Sequence, residues 1–428
     1  MLPFKLDNKK AILLIVLLLL LPILGYLLWV SPSLLGRSAD IELYPLEVQS
    51  GMLTEFTVKT GGNKGVVRLP SSTLPVIDGK VSTVQNLSFE DNEFTFWAII
   101  PPTASMVNIT VDLGQHSKTF QIQASKGAKT FVSGEQVHER MEYVTDYSNN
   151  MFRRVTSHPQ LERGARYFEG LFTSFGLEAE VVRYWDESGD SPRDRVIGMM
   201  IWNVVAYHWG ENTKEWIVLG GHYDVAPGTI EGAYDNTGGS NLVVEVARGI
   251  SQIKTNKTIV FGLWAGEEEG LWGASEFVDS IPEDVTVKAY LNFDMAGLNY
   301  PAPYELQALI GPDEDPELIE QGALINLTNR TAYEILDYPK ETGVLVTEDP
   351  FGRSDHVRFQ NIGVSTVFFF GAGDDEYSAY HSPDDTLEEM ERVAGSKELL
   401  IGGFETVAWM GFYLTVLLDN DDTVHQNI

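Results

Sequence analysis

From about residue 128 onwards, the sequence alternates between short apolar runs and amphipathic segments with helical spacing. A helical pattern at 160–175 is followed by apolar runs at 216–220 and 258–263, which precede helical patterns at 238–250 and 271–278. This alternation predicts an α/β fold with a mainly parallel central sheet that has helices on both faces. Binding sites in such sheets collect at the carboxyl ends of the strands, so the residues that follow each apolar run are the candidates for chemistry.

Residues 40–123 show a different pattern, in which brief alternating runs are separated by Gly, Pro, Asn and Asp. The runs lie at 54–59, 65–69, 81–89, 94–100 and 107–113. A period of two with frequent turns predicts a small all-β sandwich of roughly seven strands. Such a domain could be a spacer, a docking surface or a lid over the second domain, and we favour the spacer.

An uncharged run rich in leucine and isoleucine extends over residues 11–30, and Lys5, Lys9 and Lys10 precede it. Its length matches a helix that crosses a bilayer. The lysines predict that residues 1–10 stay in the cytoplasm and that the chain after residue 30 is exported. A cleaved signal peptide is the alternative, but its apolar part is usually shorter and ends at small residues. A second apolar run at 399–418 contains Glu405 and predicts a buried helix instead.

Charge and cysteine content exclude several kinds of function. The chain of 428 residues has 61 acidic and 30 basic residues, and its formal charge of −31 would repel nucleic acid. It has no cysteine, which excludes disulfides, thiolate nucleophiles and cysteine zinc sites. Any metal must therefore bind through His, Asp and Glu.

The first candidate cluster is His222 and Asp224, which follow an apolar run. Residues two apart in an extended chain share a face, so Asp224 can support His222 as a metal ligand, although a capped turn explains the pair equally well. A second cluster, Asp235 and Asn236, begins a helical pattern. Capping of that helix explains it, and so does an aspartate that bridges two cations.

A third cluster, residues 267–269, places three glutamates directly after an apolar run and among Gly and Trp residues. Carboxylates this close repel one another unless a cation or solvent offsets their charge. Asp294 and His381 also follow apolar runs and are further candidates. Asp385 is explained by capping of the next helix.

Together these clusters resemble the dizinc exopeptidases, peptidase family twenty-eight of the metallopeptidases, which includes bacterial leucyl aminopeptidases, aminopeptidase Y and glutamate carboxypeptidase. The resemblance covers residues 130–420 and rests on five motifs in the family's order. They are His222-Tyr-Asp224, Asp235-Asn236, Ala265-Gly-Glu-Glu-Glu-Gly270, Asn292-Phe-Asp294-Met295, and Tyr380-His381 before a further Asp. The departures are Ala265-Gly266 in place of the commoner Gly-Ala, and Tyr234 where a smaller or polar residue is common. Neither removes a ligand.

The resemblance implies a site for two zinc ions. The implied ligands are His222, Asp235, Glu268, Asp294 and His381. Asp235 would bridge the ions, with His222 and Asp294 completing one and Glu268 and His381 the other. Nitrogen and carboxylate ligands suit zinc.

The resemblance also implies catalytic roles for Glu267, Asp224 and Tyr380. Glu267 would be the general base that deprotonates a bridging water, Asp224 would orient His222, and Tyr380 would donate to the tetrahedral oxyanion. Asp355 and His356, in a Ser-Asp-His element, are expected beside the site without binding metal.

The implied activity is zinc-dependent hydrolysis of N-terminal peptide bonds, with peptides as substrates. A carboxypeptidase or dipeptidase is the alternative, and it would need a cationic pocket from Arg353, Arg358 or Arg330. A non-catalytic ectodomain is a second alternative, although relatives of that kind lose ligands. We expect a single-pass membrane protein with an extracytoplasmic catalytic domain. Its expected parts are a tail (1–10), a transmembrane helix (11–30), a linker (31–39), the β-sandwich (40–125) and the zinc exopeptidase domain (126–428).

Overall fold

The computed structural model of the chain describes residues 40–61, 64–127, 130–186, 198–298, 306–311, 319–339, 344–348, 352–371 and 377–421. The expected cytoplasmic tail, transmembrane helix and linker lie outside the described residues.

The amino-terminal part consists of two five-stranded sheets packed face to face. Alternate side chains of both sheets, among them Phe56, Phe96 and Ile109, are buried between them. One sheet has the order β1-β3-β8-β5-β6 and the other β2-β10-β9-β4-β7. The strands are β1 Glu42–Tyr44, β2 Glu47–Ser50, β3 Leu53–Lys59, β4 Gly65–Arg68, β5 Leu74–Ile77, β6 Lys80–Val81, β7 Asn86–Phe89, β8 Glu93–Ile99, β9 Met106–Asp112 and β10 Ser117–Lys126.

This part is an all-β sandwich, but it has more strands than the roughly seven expected. Strands β5 and β6 are too short to show a period of two. Strand β10 was missed because Phe120 and Ile122 are the only residues it buries. Two apolar residues in a polar stretch do not make a recognisable run.

The remaining described residues form an eight-stranded sheet and its helices. The strands are β11 Glu178–Trp185, β12 Met200–His208, β13 Asn212–His222, β14 Lys257–Trp264, β15 Thr286–Phe293, β16 Leu306–Gly311, β17 Val344–Glu348 and β18 Thr366–Phe370. The α-helices are α1 Gly134–Thr145, α2 Pro159–Ser174, α3 Gly238–Ile250, α4 Trp272–Ser280, α5 Ile319–Asn329, α6 His356–Gln360, α7 Leu387–Ala394 and α8 Lys397–Asn420.

The expectation of a mainly parallel sheet needs correction, because the sheet is mixed. Its order is β11-β12-β14-β13-β15-β18-β16-β17. The four central strands from β14 to β18 are parallel, whereas β12 runs antiparallel to β14 and β16 antiparallel to β18. Strands β11, β12 and β13 follow one another with no helix described between them. The rule that a crossover helix gives parallel neighbours therefore does not apply there.

Helices cover both faces of this sheet, as expected. Ile217 and Leu219 of β13 point into a core shared with α1, α2, α3 and α8, whereas Trp216 and Val218 point into a core shared with α4 and α6. This alternation follows from the period of two in a strand. A strand buried on both sides reads as one continuous apolar run, which is how β13 and β14 appear in the sequence.

The carboxy-terminal helix α8 accounts for the apolar run at 399–418. Among the described residues it is the one helix whose length and hydropathy would allow it to cross a membrane, but 67% of its most apolar window is buried within the fold. It packs against α1, α3 and α7. The expectation of a buried helix is met by these contacts.

The sandwich packs against the α/β part far from the carboxyl ends of its strands. Leu74, Val81 and Ile99 of the sandwich belong to the same apolar core as α8. The Lys80 Nζ lies 2.5 Å from Glu211 Oε2 and donates to Asn256 Oδ1 at 2.8 Å. Both partners lie where β13 and β14 begin. A lid would contact the other end of these strands.

We predict that Trp409→Ala lowers the free energy of unfolding by about 3–5 kcal/mol, because it removes a fully buried ring from α8 and leaves a cavity. Leu399→Ala, in the same helix, is the control. That side chain is 64% exposed, so its loss should change the free energy by less than about 0.5 kcal/mol. Urea unfolding followed by circular dichroism measures both. Equal effects would contradict the burial of α8.

Candidate metal centre

The carboxyl ends of the central parallel strands bring the sequence-predicted residues together. In the register of the sheet, His222 lies beside Trp264 and Gly220 lies beside Asn292. His222 ends β13, Glu267 and Glu268 follow β14, and Asp294 follows β15. The loops from residue 231 to 237 and from 377 to 385 reach the same edge and carry Asp235 and His381.

Three of the predicted ligands form a buried group around His222. The Nε2 atom of His222 lies 3.1 Å from Asp235 Oδ1 and 3.3 Å from Asp294 Oδ1. All three side chains are almost completely buried. The other ring nitrogen, Nδ1, lies 3.2 Å from the backbone oxygen of Asp224 and 3.5 Å from its carboxylate. Asp224 therefore meets His222 through its backbone carbonyl as well as through its side chain.

A second group, around His381, shares Asp235 with the first. The Nε2 atom of His381 lies 3.1 Å from Asp235 Oδ2 and 3.1 Å from Glu268 Oε2. The His381 side chain is 39% exposed, so this group is open to solvent and the first is closed. The Tyr380 ring stacks on the His381 imidazole, with ring centres 3.8 Å apart.

The geometry of both groups fits a metal ion. In each group, one potential ligand atom from each of the three residues lies within 4.8 Å of the others. Ligand atoms about 2.0–2.1 Å from a tetrahedral zinc ion are roughly 3.3 Å apart, close to the measured separations. The two oxygens of Asp235 face different histidines. Imidazole nitrogens and carboxylate oxygens are ligands that zinc accepts.

Hydrogen bonds from a distant loop hold Asp235 in place. The Asp385 carboxylate accepts from the backbone N–H of Tyr234 at 2.9 Å and from that of Asp235 at 3.1 Å, and the Tyr377 hydroxyl donates to it at 3.2 Å. Helix α7 is capped instead by Thr386, whose hydroxyl accepts from Glu389 N–H. The interpretation of Asp385 as a helix cap was wrong, since its neighbour has that role.

Asn236 ties the Asp235 loop to the strand end that carries Asp294. Its side chain donates to the Phe293 carbonyl at 2.8 Å and accepts from the N–H groups of Gly239 and Met295 at 3.0 and 3.3 Å. A Cβ at Gly239 would lie only 2.2 Å from both the Asn236 and the Phe293 oxygens, so this position requires glycine.

A chain of buried side chains holds Asp294. Ser354 donates its hydroxyl hydrogen to Asp294 Oδ2 at 2.7 Å and accepts from Asn292 at 2.8 Å. Behind it, Tyr290 donates to Asn292 Oδ1 and accepts from Trp264 Nε1. Ser354 is therefore the member of the Ser-Asp-His element that contacts a candidate ligand. This contact could not be predicted from the sequence, because any of the three side chains can form hydrogen bonds.

The turn after β14 directs Glu267 and Glu268 differently. Glu268 faces His381, whereas Glu267 belongs to neither metal-ligand group. The Glu267 backbone N–H donates to Asp224 Oδ1 at 3.3 Å. Burial raises the pKa of Glu267 well above its usual value, and the adjacent Glu268 carboxylate adds to the effect. Burial also raises the pKa of Glu268, to about 7.

The other predicted residues lie around this centre. Asp355 is fully buried, and His356 is buried with its ring stacked on Phe368. Arg358 donates to the Gly270 carbonyl at 2.9 Å, so it supports the glutamate turn. Arg353 is exposed.

The fold and the centre define a class of α/β protein with a histidine and carboxylate metal site at the carboxyl edge of its sheet. Residues 203–396 of the chain match the model of Peptidase family M28, which indicates a hydrolase. The resemblance inferred from the motifs is thereby confirmed.

Named relatives agree with this assignment. Leupeptin-inactivating enzyme 1 of Streptomyces exfoliatus is 33% identical over 40% of this chain and 36% of its own length. Aminopeptidase YwaD of Bacillus subtilis is 29% identical over 44% of this chain and 40% of its own length. The matches thus span well under half of these relatives.

The fold is also similar to that of a zinc aminopeptidase from Bacillus subtilis, with a TM-score of 0.52 and 17% identity. That match covers 65% of this chain and 94% of the other. That protein is named as a zinc enzyme, and at this level of identity the likeness shows the fold.

We predict that Asp385→Asn weakens metal binding about 10- to 100-fold, the usual effect of losing a residue that supports a metal ligand. The amide would place a donor group against the N–H groups of Tyr234 and Asp235. Asp384→Asn is the matched control, because Asp384 is exposed. Equilibrium dialysis with zinc gives both affinities. Equal affinities for the two variants would show that Asp385 does not position Asp235.

Proposed function

We propose that this chain is a two-zinc exopeptidase that removes residues from the amino terminus of peptides. The observation that carries the proposal is the shared Asp235, whose two oxygens face His222 and His381 at equal distances of 3.1 Å. A carboxylate between two ligand groups is suited to bridge two cations. Glu267 lies at the same edge of the sheet and belongs to neither ligand group, so its carboxylate is available for acid-base chemistry.

The residues that would hold the metal are those of the two groups. His222 and Asp294 would bind one zinc, Glu268 and His381 the other, and Asp235 both. Bound zinc would polarise the scissile carbonyl and make a water molecule more acidic. The hydrogen bonds from Ser354 and Asp385 would keep the carboxylates in their binding orientation.

Glu267 would act as the general base. Its carboxylate would take a proton from the attacking water and deliver it to the leaving amine. The raised pKa supports this role, because a carboxyl group that holds a proton more strongly is a better base and can then return the proton as an acid. Asp224, which accepts the Glu267 backbone N–H, would fix the turn that carries this side chain.

Tyr380 would stabilise the oxyanion. It stacks on His381 at the open side of the centre, where substrate must enter. Burial and the surrounding acids raise the pKa of Tyr380, so its hydroxyl stays protonated as a donor at neutral pH.

The charge around the centre supports an aminopeptidase over a carboxypeptidase. The ligand carboxylates would be offset by bound zinc, so the comparison rests on the arginines that a carboxypeptidase would need for the substrate carboxylate. Arg358, one of the arginines considered for a cationic pocket, is engaged with the Gly270 carbonyl.

A substrate panel tests the direction of cleavage. Purified protein with zinc supplied should hydrolyse aminoacyl p-nitroanilides and shorten peptides from a free amino terminus. The same peptides with an acetylated amino terminus and a free carboxyl terminus should be inert, because they lack the free amino terminus that the site would bind. Mass spectrometry of the products identifies the end that is cut. Trimming of the acetylated peptides would establish the carboxypeptidase alternative.

The neighbours Glu267 and Glu268 should give different phenotypes. Glu267→Gln keeps the shape but removes the proton acceptor, so turnover should fall by about 10² to 10⁴ while zinc content is retained. Glu268→Gln weakens a ligand, so zinc content should fall and added zinc should restore part of the activity. Metal analysis and turnover at saturating zinc separate the two. Loss of zinc from Glu267→Gln with full content in Glu268→Gln would reverse the assignment.

A further inference from the structure

Arg154 is a buried arginine beneath the metal centre that the motifs did not reveal. It lies just before α2 and is 0% exposed. Its Nε donates to the Tyr223 carbonyl at 2.6 Å and its Nη1 to the Met151 carbonyl at 2.8 Å. Its Nη2 donates to the Thr237 hydroxyl at 2.5 Å and to the Glu231 carbonyl at 3.2 Å. The guanidinium fork thus meets three separate segments of the chain.

Two of those segments carry candidate metal ligands. Tyr223 lies between His222 and Asp224, and the residues from 231 to 237 form the loop that presents Asp235. The backbone around Arg154 makes further links to these segments, since its carbonyl accepts from Val225 N–H at 3.2 Å and the Arg153 N–H donates to the Ile230 carbonyl at 2.7 Å. One side chain therefore spans the two loops that place His222 and Asp235 3.1 Å apart.

The environment of Arg154 is unusual for a buried charge. All its hydrogen bonds among the described residues go to neutral acceptors, whereas a buried arginine normally pairs with a carboxylate. Burial lowers the pKa of Arg154 to about 10, so it stays charged at neutral pH. The negative charges that offset this burial are those of Asp224, Asp385 and Glu231. The cation is held by the field of the acidic centre.

Helix α2 packs closely against the Arg154 side chain. A Cβ at Gly164 in α2 would lie 3.1 Å from Arg154 Cδ and 3.4 Å from the Tyr223 ring. The glycine lets α2 approach closely enough to cover the guanidinium. The site is thus built around an arginine.

We propose that Arg154 is a positioning residue for the metal centre, which fixes the distance between the His222 loop and the Asp235 loop and so sets the affinity for the metal. The proposal rests on the proposed function only in taking His222 and Asp235 as ligands of the same ion.

The test compares Arg154→Lys with Arg140→Lys. Lysine keeps the positive charge, but its single ammonium nitrogen cannot donate hydrogen bonds to all three segments at once as the guanidinium does. We expect Arg154→Lys to weaken zinc binding about 10- to 100-fold, measured on metal-free protein by competition with a chromophoric chelator. The visible spectrum of the cobalt-substituted protein should change as well.

Arg140 is the matched control because it is also a buried arginine, but it pairs with the carboxylate of Glu245 on α3. Arg140→Lys should lower the thermal midpoint of the metal-free protein and leave zinc affinity and the cobalt spectrum unchanged. If Arg154→Lys behaves in the same way, Arg154 is merely structural and the proposal is overturned.

Thr237→Val provides a second variant should Arg154→Lys fail to fold. It removes only the hydroxyl that accepts from Arg154 and donates to the Glu231 carbonyl. We expect a smaller fall in zinc affinity in the same direction, and an affinity equal to that of the unaltered protein would overturn the proposal.

Zinc binding is measured without substrate. A protein that binds zinc in this pattern but cleaves no peptide would refute the proposed activity and leave the role of Arg154 intact.

Discussion

Repulsion among carboxylates is the constraint on which this structure depends. Asp235, Glu268 and Asp294 converge on two histidines at one edge of the sheet, with Glu267 beside them. Such a group is stable only where positive charge is supplied at close range. His222 and His381 provide it for Asp235, and a bound metal ion would add to it. The Arg154 guanidinium acts on Asp224, Asp385 and Glu231 instead.

The carboxylates are held mainly by contacts that come from distant parts of the chain. The Asp385 carboxylate, at the end of a loop, accepts hydrogen bonds from two N–H groups of the Asp235 turn. Ser354, in the segment before α6, donates a hydrogen bond to Asp294. The protein itself therefore fixes the orientation of Asp235 and Asp294. A centre preorganised in this way loses little conformational entropy on binding, which favours affinity.

The clustering of the candidate ligands was predictable from the sequence, whereas the residues that support them were not. His222, Asp235, Glu268, Asp294 and His381 stand at the ends of apolar runs in a fixed order, and parallel strands bring such ends together. Arg154 and Ser354 carry no such signal, because their partners are backbone carbonyls or side chains far along the chain. The mixed sheet was missed for a related reason, since strands that follow one another without a helix reveal nothing about direction. The predicted bounds of the helices and the strand between residues 238 and 278 agree closely with the observed bounds. Strands buried on both faces and amphipathic helices have the clearest sequence patterns.

The shared core between the sandwich and α8 has a consequence for cooperativity. Leu74, Val81 and Ile99 are buried in the same cluster that contains Trp409 and Phe404, so the apolar surface of one part is completed by the other. Two units joined in this way lose mutual stabilisation when either one opens. The two parts on either side of residue 126 thus have separate sheets, but their stabilities depend on each other. Heat or denaturant would therefore unfold both parts in one transition.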